Sequence, residues 1–156
     1  MNTVSRIIRF DLLSLPGLSL FLGGLLWVMS FTQVTFYTDS GVVMGYWVAA
    51  TGWLGFGIFQ FAWYANLLEL LGVLLMSRYP NRAMVLVVLG VLLAGQAFWF
   101  TEIPGQEANM RIVDLGMGFW MWYASIVLIT LGVIFGPTEE ECCSPPQSDN
   151  GTAESN

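Results

Sequence analysis

Residues 41–76 read GVVMGYWVAATGWLGFGIFQFAWYANLLELLGVLLM, an unbroken apolar run whose one formal charge is Glu69. As one helix rising 1.5 Å per residue it would be roughly 54 Å long. That overshoots the ~30 Å hydrocarbon core of a bilayer, yet leaves no room for two spans and a polar turn. The glycines decide how to divide it. Gly41, Gly45, Gly52, Gly55 and Gly57 crowd the first half, whereas residues 58–76 contain only Gly72. The run therefore reads as a short interfacial or re-entrant helix over about residues 41–55, then a membrane span over about 56–76. Irregular backbone at membrane depth persists only where protein or water satisfies its polar groups, so other helices should cover the break.

Outward from this run lie three more apolar stretches, over about residues 12–34, 83–100 and 114–135. Between them stand TFYTDS (35–40), RYPNR (78–82) and TEIPGQEANMRIV (101–113). Pro16 falls in the first turn of the first stretch, where its missing N–H costs nothing. Arg6 and Arg9 ahead of that stretch imitate a secretory signal, but the apolar part is long for a 7–15-residue h-region and no Ala-x-Ala follows. It reads as a retained span. The expected fold is an all-α membrane protein: a four-transmembrane-helix bundle over residues 1–136 with a short extra interfacial or re-entrant helix before the second span. Residues 137–156 are acidic and rich in Ser, Pro and Asn, the composition of a disordered tail.

Composition narrows the functional classes. Hydrophobic residues make up 56% of the chain and charged residues 10%, against roughly 25% charged in soluble proteins. Histidine is absent, which removes the usual general acid–base group, the commonest metal ligand and most haem ligation. Five scattered arginines make no basic stripe for nucleic acid. Five of the eleven acids (Glu139, Glu140, Glu141, Asp149 and Glu154) lie in the tail, so the net charge of −6 is not a property of the apolar body. Cys142 and Cys143 are neighbours and cannot staple the fold; they are reduced thiols or a palmitoylation site. Arg6, Arg9, Arg78 and Arg82 share one side of the expected topology and Arg111 lies on the other. The positive-inside rule then puts both termini in the cytoplasm. There Asn150-Gly151-Thr152 never meets the glycosylation machinery its motif would suit.

Glu69 is the sharpest single residue. It falls about 13 Å from the Arg78 end of its span, where a charged carboxylate costs at least ~2.5 kcal/mol, so it should face protein. Asn66 shares its helix face, Gln96 reaches a similar depth, and Gln60 lies further out. Gln60, Asn66, Glu69 and Gln96 form either a polar seam serving proton relay or substrate contact, or interhelical glue of ~0.6–2 kcal/mol per bond. Trp27, Trp63, Trp99, Trp120 and Trp122 fall roughly 20–27 Å from the cytoplasmic ends, with Trp53 in the outer segment. They are either an aromatic belt or, for Trp53, Trp63, Trp99, Trp120 and Trp122, an outward-facing cleft for a lipid tail, quinone or partner helix. Glu102, Glu107, Arg111 and Asp114 read as an exposed loop of mixed charge. Gly52-x-x-Gly55-x-Gly57 follows no expected strand and is not a phosphate loop.

At Gly52–Gly55 (GWLG) and Gln60–Asn66 (QFAWYAN) the chain resembles bacterial inner-membrane proteins with four spans and no established activity. The likeness extends over roughly residues 36–136. Where many of those proteins follow the Asn with Pro, this chain has Leu67 and adds Glu69. The resemblance implies a bacterial inner membrane and no particular chemistry. The expected function is thus a non-enzymatic accessory or scaffold subunit, in contact with membrane lipids and with other membrane helices or further copies of itself. The alternative is a binder or transporter of a lipid or small apolar ligand, with Glu69 and Asn66 at the base of the aromatic cleft. No catalytic, cofactor or metal site is expected.

Overall fold

A computed structural model describes residues 14–104 and 109–136. Arg6, Arg9, Glu107, the cysteine pair and the acidic tail lie outside them. Helix α1 (Leu15–Ser30) starts at Ser14, whose hydroxyl accepts from the Gly17 amide at 3.3 Å, with Pro16 in the first turn. Strands β1 (Val34–Thr38) and β2 (Gly41–Met44) follow, then α2 (Gly45–Thr51) and two 3-10 segments, Gly52–Ile58 and Ala62–Tyr64. Helix α3 (Ala65–Leu75) turns through Tyr79 into α4 (Pro80–Gly95), which ends in a 3-10 segment, Gln96–Trp99. Strands β3 (Glu102–Ile103) and β4 (Met110–Leu115) lead into α5 (Met117–Ile134).

The all-α expectation is therefore wrong. The four strands make one antiparallel sheet in the order β2-β1-β4-β3. Its residues come from the ends of stretches read as spans one and four, from the supposed interfacial helix and from the polar loops. The local chemistry explains the change. Val34-Thr35-Phe36-Tyr37-Thr38 is β-branched or aromatic throughout, a composition suited to a pleated surface. Asp39-Ser40 makes the hairpin turn, and Gly41 takes φ 147°, a conformation glycine alone adopts easily. Asp39 then ties the hairpin to β4: its Oδ1 accepts from the Arg111 amide at 3.1 Å, and its own amide donates to the Arg111 carbonyl at 3.1 Å.

The four-span count also fails. Two helical stretches are long and apolar enough to cross a membrane, Pro80–Trp99 and Met117–Ile134. Leu15–Ser30 and Ala62–Leu75 are apolar but shorter. The expected span over 56–76 is cut because Phe59 adopts a left-handed conformation (φ 57°), between two 3-10 segments.

Small residues set the helix spacing. Helix α1 lies antiparallel along α5. A Cβ added at Gly23 would sit 2.8 Å from Ile129 Cγ1 and 3.1 Å from the Ile129 amide, and one at Gly132 would sit 2.6 Å from Leu20. Gly72 meets the Val87 side chain between α3 and α4, and Gly90 faces Glu69. Ala65, Ala83, Val87, Ala94 and Ile126 are fully buried along these seams. At the other end the sheet rests on the bundle through Phe36, which packs against Phe100 and Phe119 at ring separations of 6.2 and 5.9 Å.

Candidate functional site: an apolar chamber under the sheet

Between the sheet, the broken segment and the upper ends of α3 and α5 lies a cavity of about 470 Å³. This is within the ~300–1,000 Å³ range of small-molecule sites. Thr35, Phe36 and Val43 form its roof, residues from Val48 to Gln60 one side, and Ala97, Phe119 and Trp122 another. Gly52, Gly55, Gly57, Ala62, Ala97 and Gly118 also line it, and at Gly52, Gly55 and Gly118 the missing side chain lets Trp63, the Gln60 carbonyl and the Gln33 carbonyl approach closely. Among the described residues no Asp, Glu, Lys or Arg borders it.

Asn66 stands at the base. Its Oδ1 accepts from the indole N–H of Trp27 and from that of Trp122, each at 2.9 Å, while its Nδ2 donates to the Trp63 carbonyl at 2.8 Å. One side chain thereby joins α1, α3 and α5 just below the chamber. Trp63, itself on the wall, donates its Nε1 to the Ala49 carbonyl at 3.0 Å, pinning α2, and its ring packs over Gly52.

Gln96 repairs the chain break. Its Nε2 donates to the Phe59 carbonyl at 2.7 Å and its Oε1 accepts from the Phe61 amide at 2.8 Å. Two backbone groups freed by the left-handed residue are thus satisfied by a side chain of α4's extension, as irregular backbone in an apolar setting requires.

Glu69 sits elsewhere. It is 3% exposed on the α3 face toward α4 and α5, accepts from the Thr130 hydroxyl at 3.0 Å, and does not line the chamber. Its Oε2 has no hydrogen-bond partner among the described residues.

The four polar residues expected to make a seam therefore occupy separate settings, and no hydrogen bond joins any two of them among the described residues. Asn66 is interhelical glue, Gln96 a backbone clamp, Glu69 an α3–α5 contact. Gln60 lines the chamber, and its carboxamide oxygen is sealed from solvent and has no partner among the described residues. Of the five tryptophans expected to form a cleft, Trp63 and Trp122 border the chamber. Trp53, Trp99 and Trp120 point outward, being 48%, 79% and 50% exposed.

Depth along the helix places Trp27 at the aromatic level but not beside Asn66, and Thr35 and Thr130 carry no signal beyond a hydroxyl among apolar neighbours. Among the described residues no group of three or more His, Cys, Asp or Glu side chains is placed to hold a metal ion. Comparison with protein families, curated proteins and solved structures finds no match.

Proposed function

We propose that this chain is a membrane-embedded binder of a small apolar ligand, held in the chamber beneath the sheet. The observation that carries this reading is the uncharged cavity of about 470 Å³ itself. A subunit that only packs against neighbours has no need of such a space, and densely packed interiors seldom leave one. The cavity tips the balance from scaffold to binder.

The membrane setting draws support from where apolar side chains go. The core helix of a soluble protein is mostly buried, yet only 28% of the Pro80–Trp99 window and 39% of the Met117–Ile134 window are buried. Leu74, Leu92 and Phe135 are each about two-thirds exposed, as lipid-facing residues are. Among the described residues, charge outside Glu69 falls at two ends: Arg78 and Arg82 on the α3–α4 turn, and Asp39, Glu102, Arg111 and Asp114 on the sheet. With the arginine turn cytoplasmic by the positive-inside rule, the sheet and chamber lie toward the outer leaflet. The resemblance to bacterial inner-membrane proteins supports that membrane as the site.

Ala97 supplies the test, because it lines the chamber and is only 7% exposed. Ala97→Phe should take up part of the space. Lipid identified from gently extracted wild-type protein should include one species enriched over the bulk membrane, and the variant should lose it. Bulk composition in both proteins would defeat the proposal.

A further inference from the structure

Two polar side chains on the chamber wall make no side-chain hydrogen bond among the described residues. Thr35 is 6% exposed, and its hydroxyl makes no hydrogen bond among the described residues. Gln60 is likewise without a side-chain hydrogen bond among them, and its Oε1 is shut off from solvent. The other polar side chains of the wall have partners: Ser30 donates to the Trp27 carbonyl at 2.7 Å, Thr51 to the Trp47 carbonyl at 2.7 Å, and Asn66 accepts two indole bonds and donates one. Buried polar groups are almost always paired. A hydroxyl and a carboxamide without partners on one largely apolar wall call for a partner that arrives with the ligand, the carboxamide offering its Nε2 or turning its sealed Oε1 toward the space.

We infer that the ligand is a neutral amphiphile, an apolar body carrying one hydroxyl- or carbonyl-type head that bonds to the Gln60 carboxamide and the Thr35 hydroxyl. This rests on the ligand-binding reading above and specifies its chemistry. A pure hydrocarbon would leave both groups orphaned. A phosphate or other charged head would be stripped of water against a wall where no described residue is Arg or Lys. The Gln60 carboxamide has both a donor and an acceptor to offer, and its terminal torsion is soft enough to present either.

Three photoreactive probes sharing one diazirine-bearing alkyl chain, and ending in hydroxyl, methyl or phosphate, separate the possibilities. Each is irradiated with the full chain in lipid nanodiscs, and the labelled peptides are identified by mass spectrometry. The hydroxyl probe should label the chamber wall about tenfold more than the methyl probe, the worth of a hydrogen bond that rescues a buried group. The phosphate probe should not exceed the methyl level. Gln60→Leu, and separately Thr35→Val, should pull the hydroxyl probe down toward the methyl probe. Equal labelling by all three in the wild type, a phosphate preference, or a hydroxyl preference that survives both substitutions would overturn the head-group assignment while leaving the chamber as a binding site. Absence of wall labelling by every probe would instead overturn the binding reading itself. The wild-type ranking needs no variant to fold.

Discussion

Trp27 and Trp122 donate their indole N–H groups to a single oxygen, Asn66 Oδ1, each at 2.9 Å. Helices α1 and α5 are thus locked to α3 through one acceptor, directly beneath the chamber. Replacing Asn66 by Leu strands both donors, at about 1–3 kcal/mol for each that stays buried. We expect a lower thermal midpoint than for Trp122→Phe, which removes one donor and leaves the other paired. A double-mutant cycle between Asn66→Leu and Trp122→Phe should be clearly non-additive, as groups within one network are. Additive losses would mean that the shared acceptor does not couple the helices.

Adjacent glycines on α1 should respond with opposite signs. A Cβ at Gly23 meets Ile129 and lies 3.2 Å from the Ser125 carbonyl, whereas one at Gly24 meets nothing within 4 Å. Gly23→Ala should destabilise by about 1–3 kcal/mol through overpacking. Gly24→Ala should stabilise by about 0.5–1 kcal/mol, because alanine loses less backbone freedom in a helix. Chemical denaturation in mild detergent reads both, and equal effects would contradict the α1–α5 packing.

The clamp made by Gln96 predicts local rather than global weakness. Gln96→Leu frees the Phe59 carbonyl and the Phe61 amide, a loss of about 2 kcal/mol. Faster hydrogen exchange confined to residues 59–61 and their neighbours is the expected signature. An unchanged exchange rate at Phe61 would show that the side chain does not protect that amide.

Glu69 lies off the chamber, so its substitution should separate stability from ligand uptake. Glu69→Gln keeps an acceptor for the Thr130 hydroxyl and should leave both stability and chamber labelling near wild type. Glu69→Ala orphans Thr130 and leaves a void, with an expected cost of about 2 kcal/mol or more. Loss of labelling in a stably folded Glu69→Gln protein would place the carboxyl in the ligand's path after all.

What could be read in advance followed the range of the interaction. The apolar stretches, the Arg78–Arg82 turn and the irregular backbone near Gly55 are local features, visible as composition. The sheet is not local: β1 and β4 meet across more than seventy residues of chain, with Phe36 opposite Leu115. Its strands are short, and neither β1 nor β2 alternates in burial, β1 being shifted in register between Val34 and Phe36. The hairpin did leave a trace, in a β-branched and aromatic run ending in Asp39-Ser40-Gly41. Hydropathy alone misread it as the tail of a span and a polar break. Among the polar residues, Asn66 and Glu69 do share a face of α3. Their partners are decided by how far α5 slides along that face, and nothing in the order of residues encodes the offset. Gln60 and Gln96 differ for the same reason: Gln96 meets the broken backbone, and the Gln60 side chain makes no hydrogen bond among the described residues.

The roof over the chamber depends on a strand made late. Pairing of Phe36 with Leu115 joins two strands separated along the chain by β2, α2, α3 and α4, so the roof is completed only by the C-terminal part of the molecule. A chain ending ahead of Met110 lacks both β4 and α5, and with them Phe119 and Trp122 of the chamber wall.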